Sequence, residues 1–318
     1  MASKGMAYVC SERDHNLLHG SFTLGSYVAV WVAASGWPFF LAAFVWYGYW
    51  LSALSLVAVL AICSIPLEPR DSVKAWMCRG TRCYFREASL RYEHDIATDA
   101  PPTVLAVHPH GVFCMGWGTL FAQQELSHVY WCFANVLYQS PMFRAFTSLI
   151  GRPASASKAS FLRLMRQRRA IAILPGGFEE ATISSATVDR VYLAKRKGWV
   201  KYALQHGYSL TPVFTFGERE TYANLQTLMP LRLWMSTFGL PGILPFGRWW
   251  CPILPRDRRL HIVVGSPLLP PPGVGEQPTD AQVDAQHKRY VAALTDLYDR
   301  HKVAYYGKEA ANAELEIW

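Results

Sequence analysis

Hydrophobic and polar positions divide this chain into two unlike parts. From Gly20 to Leu67 there is no Asp, Glu, Lys, Arg or His. A helix needs roughly 20 residues to cross a hydrocarbon core, so this stretch is long enough for two short passes. Ser35, Gly36 and Pro38 interrupt its first half, and Trp46, Tyr47, Gly48, Tyr49 and Trp50 form an aromatic knot before a second run, Leu51 to Ile65. Trp and Tyr favour the headgroup level, so the knot predicts the turn of a hairpin at the far interface. Lys4 and Arg13 precede the run and Arg70, Lys74, Arg79, Arg82 and Arg86 follow it. Cations on both flanks direct both ends to the cytosol. A secretory signal fits less well, because about twenty mostly polar residues come first and the apolar run is too long. A helical hairpin buried in a water-soluble protein stays open as the alternative.

Lys74 to Tyr92 mixes Trp76, Met77, Tyr84, Phe85 and Leu90 with arginines. It reads either as a basic amphipathic stretch on a membrane surface or as a helix packed on the following domain. Beyond Pro101 and Pro102 the pattern alternates. Apolar runs predict strands at Thr103–His108, Val129–Asn135, Ala170–Pro175, Ser209–Gly217 and Leu260–Gly265. Helical periodicity fills Trp117–Leu126, Ser157–Arg168 and Leu193–His206, and a last helix puts Val283, His287, Tyr290, Leu294 and Leu297 on one face. The expected fold class is α/β, a mixed, partly parallel sheet flanked by helices, with an N-terminal hydrophobic helical hairpin. Four segments follow: a polar tail at 1–20, a membrane-embedded hairpin at 21–67, a basic amphipathic connector at 68–100 and an α/β domain at 101–318.

Composition narrows the setting. Apolar residues make up 51% and charged residues 17%, against about 25% charged in an ordinary soluble domain. The net charge of +8 favours an anionic partner: nucleic acid, anionic lipid or a phosphate-bearing cofactor. No nucleic-acid module accompanies it, so nucleic acid is not expected. The seven cysteines are scattered and form no CxxC pair, which suits a reducing compartment better than a disulfide scaffold.

Three motifs could carry chemistry. His108-Pro109-His110-Gly111 directly follows the first strand of the α/β part, and strand carboxyl ends are where ligands gather in such sheets. Pro109 fixes the backbone between two imidazoles and Gly111 frees the turn. A near-neutral histidine can take a proton from an alcohol that attacks a thioester. His108, His110 and Cys114 lack a fourth ligand at any standard metal spacing, and HExxH is absent, so no metal is expected. Pro175-Gly176-Gly177-Phe178-Glu179-Glu180 follows another strand; its acids could orient a histidine or simply open a helix. Arg196, Lys197 and Lys201 could meet the phosphates of coenzyme A or lie solvated on a helix. The basic helix with Lys158, Arg163, Arg166, Arg168 and Arg169 is equally ambiguous. No GxSxG or P-loop occurs, and the GxGxxG begun by Gly116 and Gly118 meets Phe121.

On these residues the chain resembles the type-2 diacylglycerol acyltransferase family, which includes monoacylglycerol and wax-alcohol acyltransferases. His-Pro-His-Gly at 108–111 is that family's signature. Arg196 to Glu218 is similar to a longer and more specific block, and Gly176-Gly177 with Glu180 is similar to its Gly-Gly-x-x-Glu segment. Val264-Gly265-x-Pro267, Tyr298-Asp299-Arg300-His301-Lys302, and Trp76 to Phe85 with Cys83 in place of an arginine complete the match.

The resemblance implies acyl transfer from acyl-CoA, used as co-substrate without other cofactors, to diacylglycerol, monoacylglycerol or an alcohol. It implies an enzyme of the endoplasmic-reticulum membrane and lipid droplet, with its catalytic domain facing the cytosol; a homo-oligomer is compatible with it. His110 would be the catalytic base, assisted by His108. The layout also resembles, more distantly, glycerolipid acyltransferases that use His-x4-Asp, but the fifth residue after His110 is Met115. The acid partner must come from elsewhere, with Glu180, Glu179 and Glu218 as candidates in that order. That departure weighs against a phosphorylated acceptor such as lysophosphatidate. A backbone N–H near Gly111 or Gly177 would hold the oxyanion. The competing readings are a lysophospholipid acyltransferase and a lipid-droplet lipid-binding protein without activity.

Overall fold

A computed structural model describes residues 6–10, 16–94, 102–240, 242–275 and 277–318. In chain order the strands are β1 (Met6–Cys10), β2 (Glu87–Tyr92), β3 (Thr103–His108), β4 (Tyr130–Phe133), β5 (Arg152–Ser155), β6 (Ile171–Ile173), β7 (Asp189–Val191), β8 (Ser209–Phe216), β9 (Ala223–Asn224), β10 (Pro245–Phe246), β11 (Arg259–Val264) and β12 (Leu315–Ile317). The helices are α1 (Leu17–Trp46), α2 (Trp50–Cys63), α3 (Asp71–Tyr84), α4 (Met115–Phe121), α5 (Asn135–Gln139), α6 (Pro141–Ile150), α7 (Lys158–Arg166), α8 (Gly177–Ile183), α9 (Gly198–Gln205), α10 (Glu218–Thr221), α11 (Met229–Thr237) and α12 (Asp280–Tyr306).

Eight strands form one sheet in the order β1-β2-β11-β8-β3-β6-β4-β5. β8, β3, β6, β4 and β5 run parallel, β11 is antiparallel to β8, β2 parallel to β11, and β1 antiparallel to β2. The mixed, partly parallel sheet flanked by helices is therefore present. Alternation along β3 sends Leu105 and Val107 into one apolar core and Val104 and Ala106 into the other. The first core is covered by α1, α3, α4 and α6, the second by α7, α9 and α12. Because β8, β3, β6 and β4 are parallel, the segments after His108, Phe133, Ile173 and Phe216 converge at one edge of the sheet. That edge holds the candidate site.

The sheet begins earlier than the expected boundary at residue 101. β2, within the span expected to be a connector, pairs in full register with β11. Its Glu87 and Arg91 mask the strand pattern, while Ala88, Ser89 and Leu90 are buried. α3 likewise packs on the domain through Met77, Gly80 and Tyr84, the second of the two readings given for Lys74–Tyr92.

The hairpin turns at the aromatic knot, between Trp46 and Trp50. Ser35, Gly36 and Pro38 do not break it: Pro38 lies inside a continuous α1, where it removes one backbone hydrogen bond and leaves the rest of the ladder intact. α1 is long and apolar enough to cross a membrane. The 14 residues of α2 span about 21 Å, short of a ~30 Å hydrocarbon core. The first half of α1 belongs to the domain: Gly20, Thr23, Leu24, Tyr27 and Val28 are buried. Its outer half exposes Phe39, Phe40 and Trp46, and α2 exposes Leu51, Leu54 and Ile62.

Two glycines let α1 and α3 approach. A Cβ on Gly20 would stand 2.7 Å from the Tyr84 Cα, and one on Gly80 would collide with the Thr23 side chain. Backbone cannot swing aside as a side chain can. Gly20→Ala is therefore expected to lower stability by about 1–3 kcal/mol, read as a reduced Tm in detergent. Gly275→Ala, where a Cβ meets nothing within 4 Å, serves as the control and should leave Tm unchanged.

Candidate active site

His110 reaches the head of the sheet on the turn that follows β3, with Gly111 at φ +61. The turn cannot carry a Cβ at position 111, because that atom would collide with the Glu218 carboxylate. The imidazole Nδ1 of His110 lies 2.9 Å from the Gly111 carbonyl oxygen. A carbonyl only accepts, so Nδ1 carries the proton and Nε2 keeps its lone pair. Burial lowers the His110 pKa, with the Gly111 carbonyl and the Glu180 charge opposing that fall. At neutral pH the ring is uncharged and basic. Cys114 Sγ sits 3.2 Å from Nδ1 and 3.5 Å from Nε2, and burial pushes its thiol well up, so it is a neutral neighbour.

The ring borders a cavity of about 370 Å³. Phe133 and Ala134 come from the end of β4, Ile173, Leu174, Pro175 and Gly177 from the end of β6 and the turn after it, Phe161 from α7, Trp199 and Tyr202 from α9, and Trp31 from α1. The walls are apolar. The exposed Lys158, its Nζ 5.4 Å from the centroid of Tyr202, is the cation on this lining.

Glu180 does not touch the His110 ring. Its Oε1 accepts the His110 backbone N–H at 2.6 Å, its Oε2 accepts the Tyr192 N–H at 2.7 Å, and Oε1 stands 3.5 Å from His108 Nδ1. Burial pushes this carboxyl up, but the His108 imidazole and the two N–H donors outweigh it and hold the pKa below the ordinary value. Glu180 holds the loop through its backbone and places a charge beneath it; it does not pair with the His110 ring.

His108, at the end of β3, is completely buried and does not line the cavity. Its Nε2 lies 3.1 Å from the Tyr290 hydroxyl of α12, which also approaches the Ala106 carbonyl at 3.4 Å. His108 contacts Glu180 and Tyr290 and not the cavity. Pro109, in a cis peptide after His108, lies between the two and is buried.

The remaining acids separate in the same way. Glu179 pairs with Arg196. Glu218 caps α4, its two oxygens accepting N–H of Met115 at 2.9 Å and of Gly116 at 2.6 Å; a carboxylate suits a helix N-terminus. Burial pushes its carboxyl up to about 7 against those two donors. Gly176 packs on the Glu180 side chain, and Gly177, at φ +56, opens α8. The Gly177 N–H is bonded to the Leu174 carbonyl at 3.2 Å, so it is unavailable to an oxyanion. Lys197 pairs with Asp284 at 2.8 Å, and Lys201 is exposed on α9. Arg196, Lys197 and Lys201 flank Gly198 and Trp199, which line the cavity.

The sequence pattern missed Trp31, Tyr192 and Tyr290. Trp31 is hidden in the charge-free run, Tyr192 contributes only a backbone N–H, and Tyr290 sits on the predicted buried face of the last helix with nothing to mark its hydroxyl.

A sequence model of a family described as "Diacylglycerol acyltransferase" matches residues 43–316. The chain is 32% identical to Diacylglycerol O-acyltransferase 2-like protein 6 of Homo sapiens over 64% of this chain and 66% of that protein. It is 30% identical to Acyl-CoA wax alcohol acyltransferase 1 of Homo sapiens over 64% of this chain and 67% of that protein. The chain thus spans about two thirds of the length of these relatives. Among solved structures it is similar to the 1-acyl-sn-glycerophosphate acyltransferase of Thermotoga maritima, at 13% identity and a TM-score of 0.41, over 82% of this chain and 95% of that one.

Glu218 makes stability depend on pH. Its folded pKa of about 7 stands above the ordinary 4.5, so the folded state binds the proton more tightly. That contribution is complete below 4.5 and lost as pH rises through about 7. Glu218→Gln removes it and leaves one of two buried N–H groups without its acceptor, at about 1–3 kcal/mol. The Tm advantage of the parent over Glu218→Gln should shrink as pH is raised from 5 to 8; an advantage that grows would contradict this assignment.

Proposed function

The chain belongs to the diacylglycerol acyltransferase family, and on that premise we propose that it moves a fatty acyl group from acyl-CoA to the free hydroxyl of diacylglycerol, forming triacylglycerol. The observation that carries this reading is the basic Nε2 of His110 at the wall of an apolar cavity. A buried neutral imidazole in apolar surroundings suits the deprotonation of an alcohol held among acyl chains.

The acceptor hydroxyl gives its proton to Nε2 as its oxygen attacks the thioester carbonyl. The new C–O bond forms, the C–S bond breaks, and the proton passes from His110 to the departing thiolate of coenzyme A. The reaction needs no acyl-enzyme and no cofactor beyond the acyl-CoA co-substrate. Glu180, through the His110 N–H, and Glu218, packed on Gly111, hold the base where the hydroxyl arrives. Coenzyme A phosphates approach from the side of Lys158, which lines the cavity, and of Arg196, Lys197 and Lys201, which lie next in the chain to the lining residues Gly198, Trp199 and Tyr202.

The charge-free hairpin supports residence in a membrane. With Trp31 of α1 in the cavity wall, an apolar acceptor enters sideways from the bilayer. In the same reading that membrane is the endoplasmic reticulum, with the catalytic domain in the cytosol, and the chain also reaches lipid droplets. A monoacylglycerol or a long-chain alcohol is the second choice of acceptor, favoured by the wax-alcohol enzyme among the relatives.

The test is transfer of labelled oleoyl-CoA by the purified protein to diacylglycerol, monoacylglycerol, a long-chain alcohol and lysophosphatidate side by side. Triacylglycerol should dominate, and His110→Ala should lower its formation by about 10²–10⁴-fold. A phosphatidate product, or full activity in a folded His110→Ala protein, would overturn the reading. Because burial moves the His110 pKa below 6.5, its basic form persists into acid. The rate profile should stay level from pH 8 to 6.5 and fall only below that.

A further inference from the structure

α11 is built inside out. Arg232 and Ser236 point into the domain and are buried, whereas Leu228, Leu231, Trp234 and Phe238, on and beside the helix, face outward. The buried guanidinium is satisfied there: Arg232 donates to the carbonyls of Gly242, Leu225 and Thr182 and to Asn224 Oδ1. In water a short surface helix turns its apolar stripe inward and its charges outward. The reversal here is stable only if the outer face meets an apolar medium.

The segment after α11 continues this face. Phe246 is exposed, Trp250 is half exposed and Trp249 is 93% exposed. Beside them lie four guanidinium groups and one carboxylate. Arg86 and Arg248 share Asp257 at 3.7 and 3.2 Å, Arg256 donates to the Gly247 carbonyl at 3.1 Å, and Arg258 is exposed. The loop is held firmly, since the Tyr84 hydroxyl donates to the Pro255 carbonyl and receives Arg248 Nε at 2.9 Å. Exposed Trp next to excess positive charge is the chemistry of the headgroup layer of an anionic membrane.

The face also adjoins the hairpin. Ile243, between α11 and β10, packs on the same core as Val30 and Trp31 of α1, and Leu254 comes within 3.5 Å of a Cβ placed on Gly25. We propose that α11 and the Trp249–Trp250 loop form a second lipid-facing surface, which seats the catalytic domain on the anionic leaflet beside the root of the hairpin. This rests on the reading of the hairpin as membrane-embedded. It adds that the domain is bound to the bilayer at two places, so that the cavity is held at the level of the acyl chains.

The test uses the full chain reconstituted in phosphatidylcholine vesicles with and without phosphatidylserine. A photoreactive benzoylphenylalanine replaces Trp249, or Leu54 in α2, or Val303 on α12 at the opposite face of the sheet. Lipid adducts are expected at 249 and 54 and not at 303, and the yield at 249 should fall several-fold without phosphatidylserine or in Arg86→Gln/Arg258→Gln. Adducts at 54 alone would overturn the second surface while leaving the hairpin reading intact. Adducts at neither would remove the hairpin reading itself. Crosslinking of 249 to a second copy of the chain would overturn the proposal in favour of a protein interface. An adduct yield at 249 indifferent to phosphatidylserine would overturn its anionic preference.

Discussion

The Glu180 carboxylate joins three segments that the chain keeps far apart. Its two oxygens accept the N–H groups of His110 and Tyr192, and the same carboxylate faces His108. Those contacts tie the turn after β3, the head of α8 and the approach to α9. His108 then extends the tie to Tyr290 and so to α12 on the far side of the sheet. Leaving one buried donor without its acceptor costs about 1–3 kcal/mol, so the group is bound to all of these partners together. His110 occupies its place because a second histidine, a glutamate and a tyrosine beneath it contact one another.

Two buried glutamates brace the same turn and titrate in opposite directions. Glu180 has an imidazole beside it as well as two N–H donors, and its pKa falls. Glu218 has two N–H donors and no such partner, and burial carries it to about 7. The difference places a firm negative charge below His110 and a group close to neutrality behind Gly111. In the proposed reaction the imidazole alternates between neutral and protonated forms and is helped by the first, which favours the proton once taken. The second adds little further charge to an apolar pocket.

How much of this could be read from the sequence depended on what each residue announces. The strand Thr103–His108, the histidine turn and the face of the last helix carry periodicity and unusual side chains, and they stand where expected. β2 was hidden because Glu87 and Arg91 sit at its ends, and its strand character comes from pairing with β11, more than 160 positions later. The contacts of the acid are hidden for a related reason. Spacing shows that Glu180 follows a strand, but not that its oxygens point to backbone N–H groups instead of to the ring. Trp31 could not be found at all by composition, since in an apolar run a wall residue and a lipid-facing residue look alike.

α1 resolves a difficulty that any enzyme handling lipid in an α/β sandwich meets. A cavity at the head of a parallel sheet normally opens to water, whereas the acceptor in the proposed reaction is a membrane lipid. The helix that is long and apolar enough to cross a membrane is also a layer of the core: Tyr27 and Val28 are fully buried, Trp31 one turn on lines the cavity, and Phe39 and Phe40 are exposed two turns later. Anchor, wall and core are therefore successive turns of one rigid element. The glycine contacts at Gly20 and Gly80 lock that element to α3, so its exposed outer half and its cavity-lining turn cannot move independently. In the proposed reaction an apolar acceptor would enter sideways along this element.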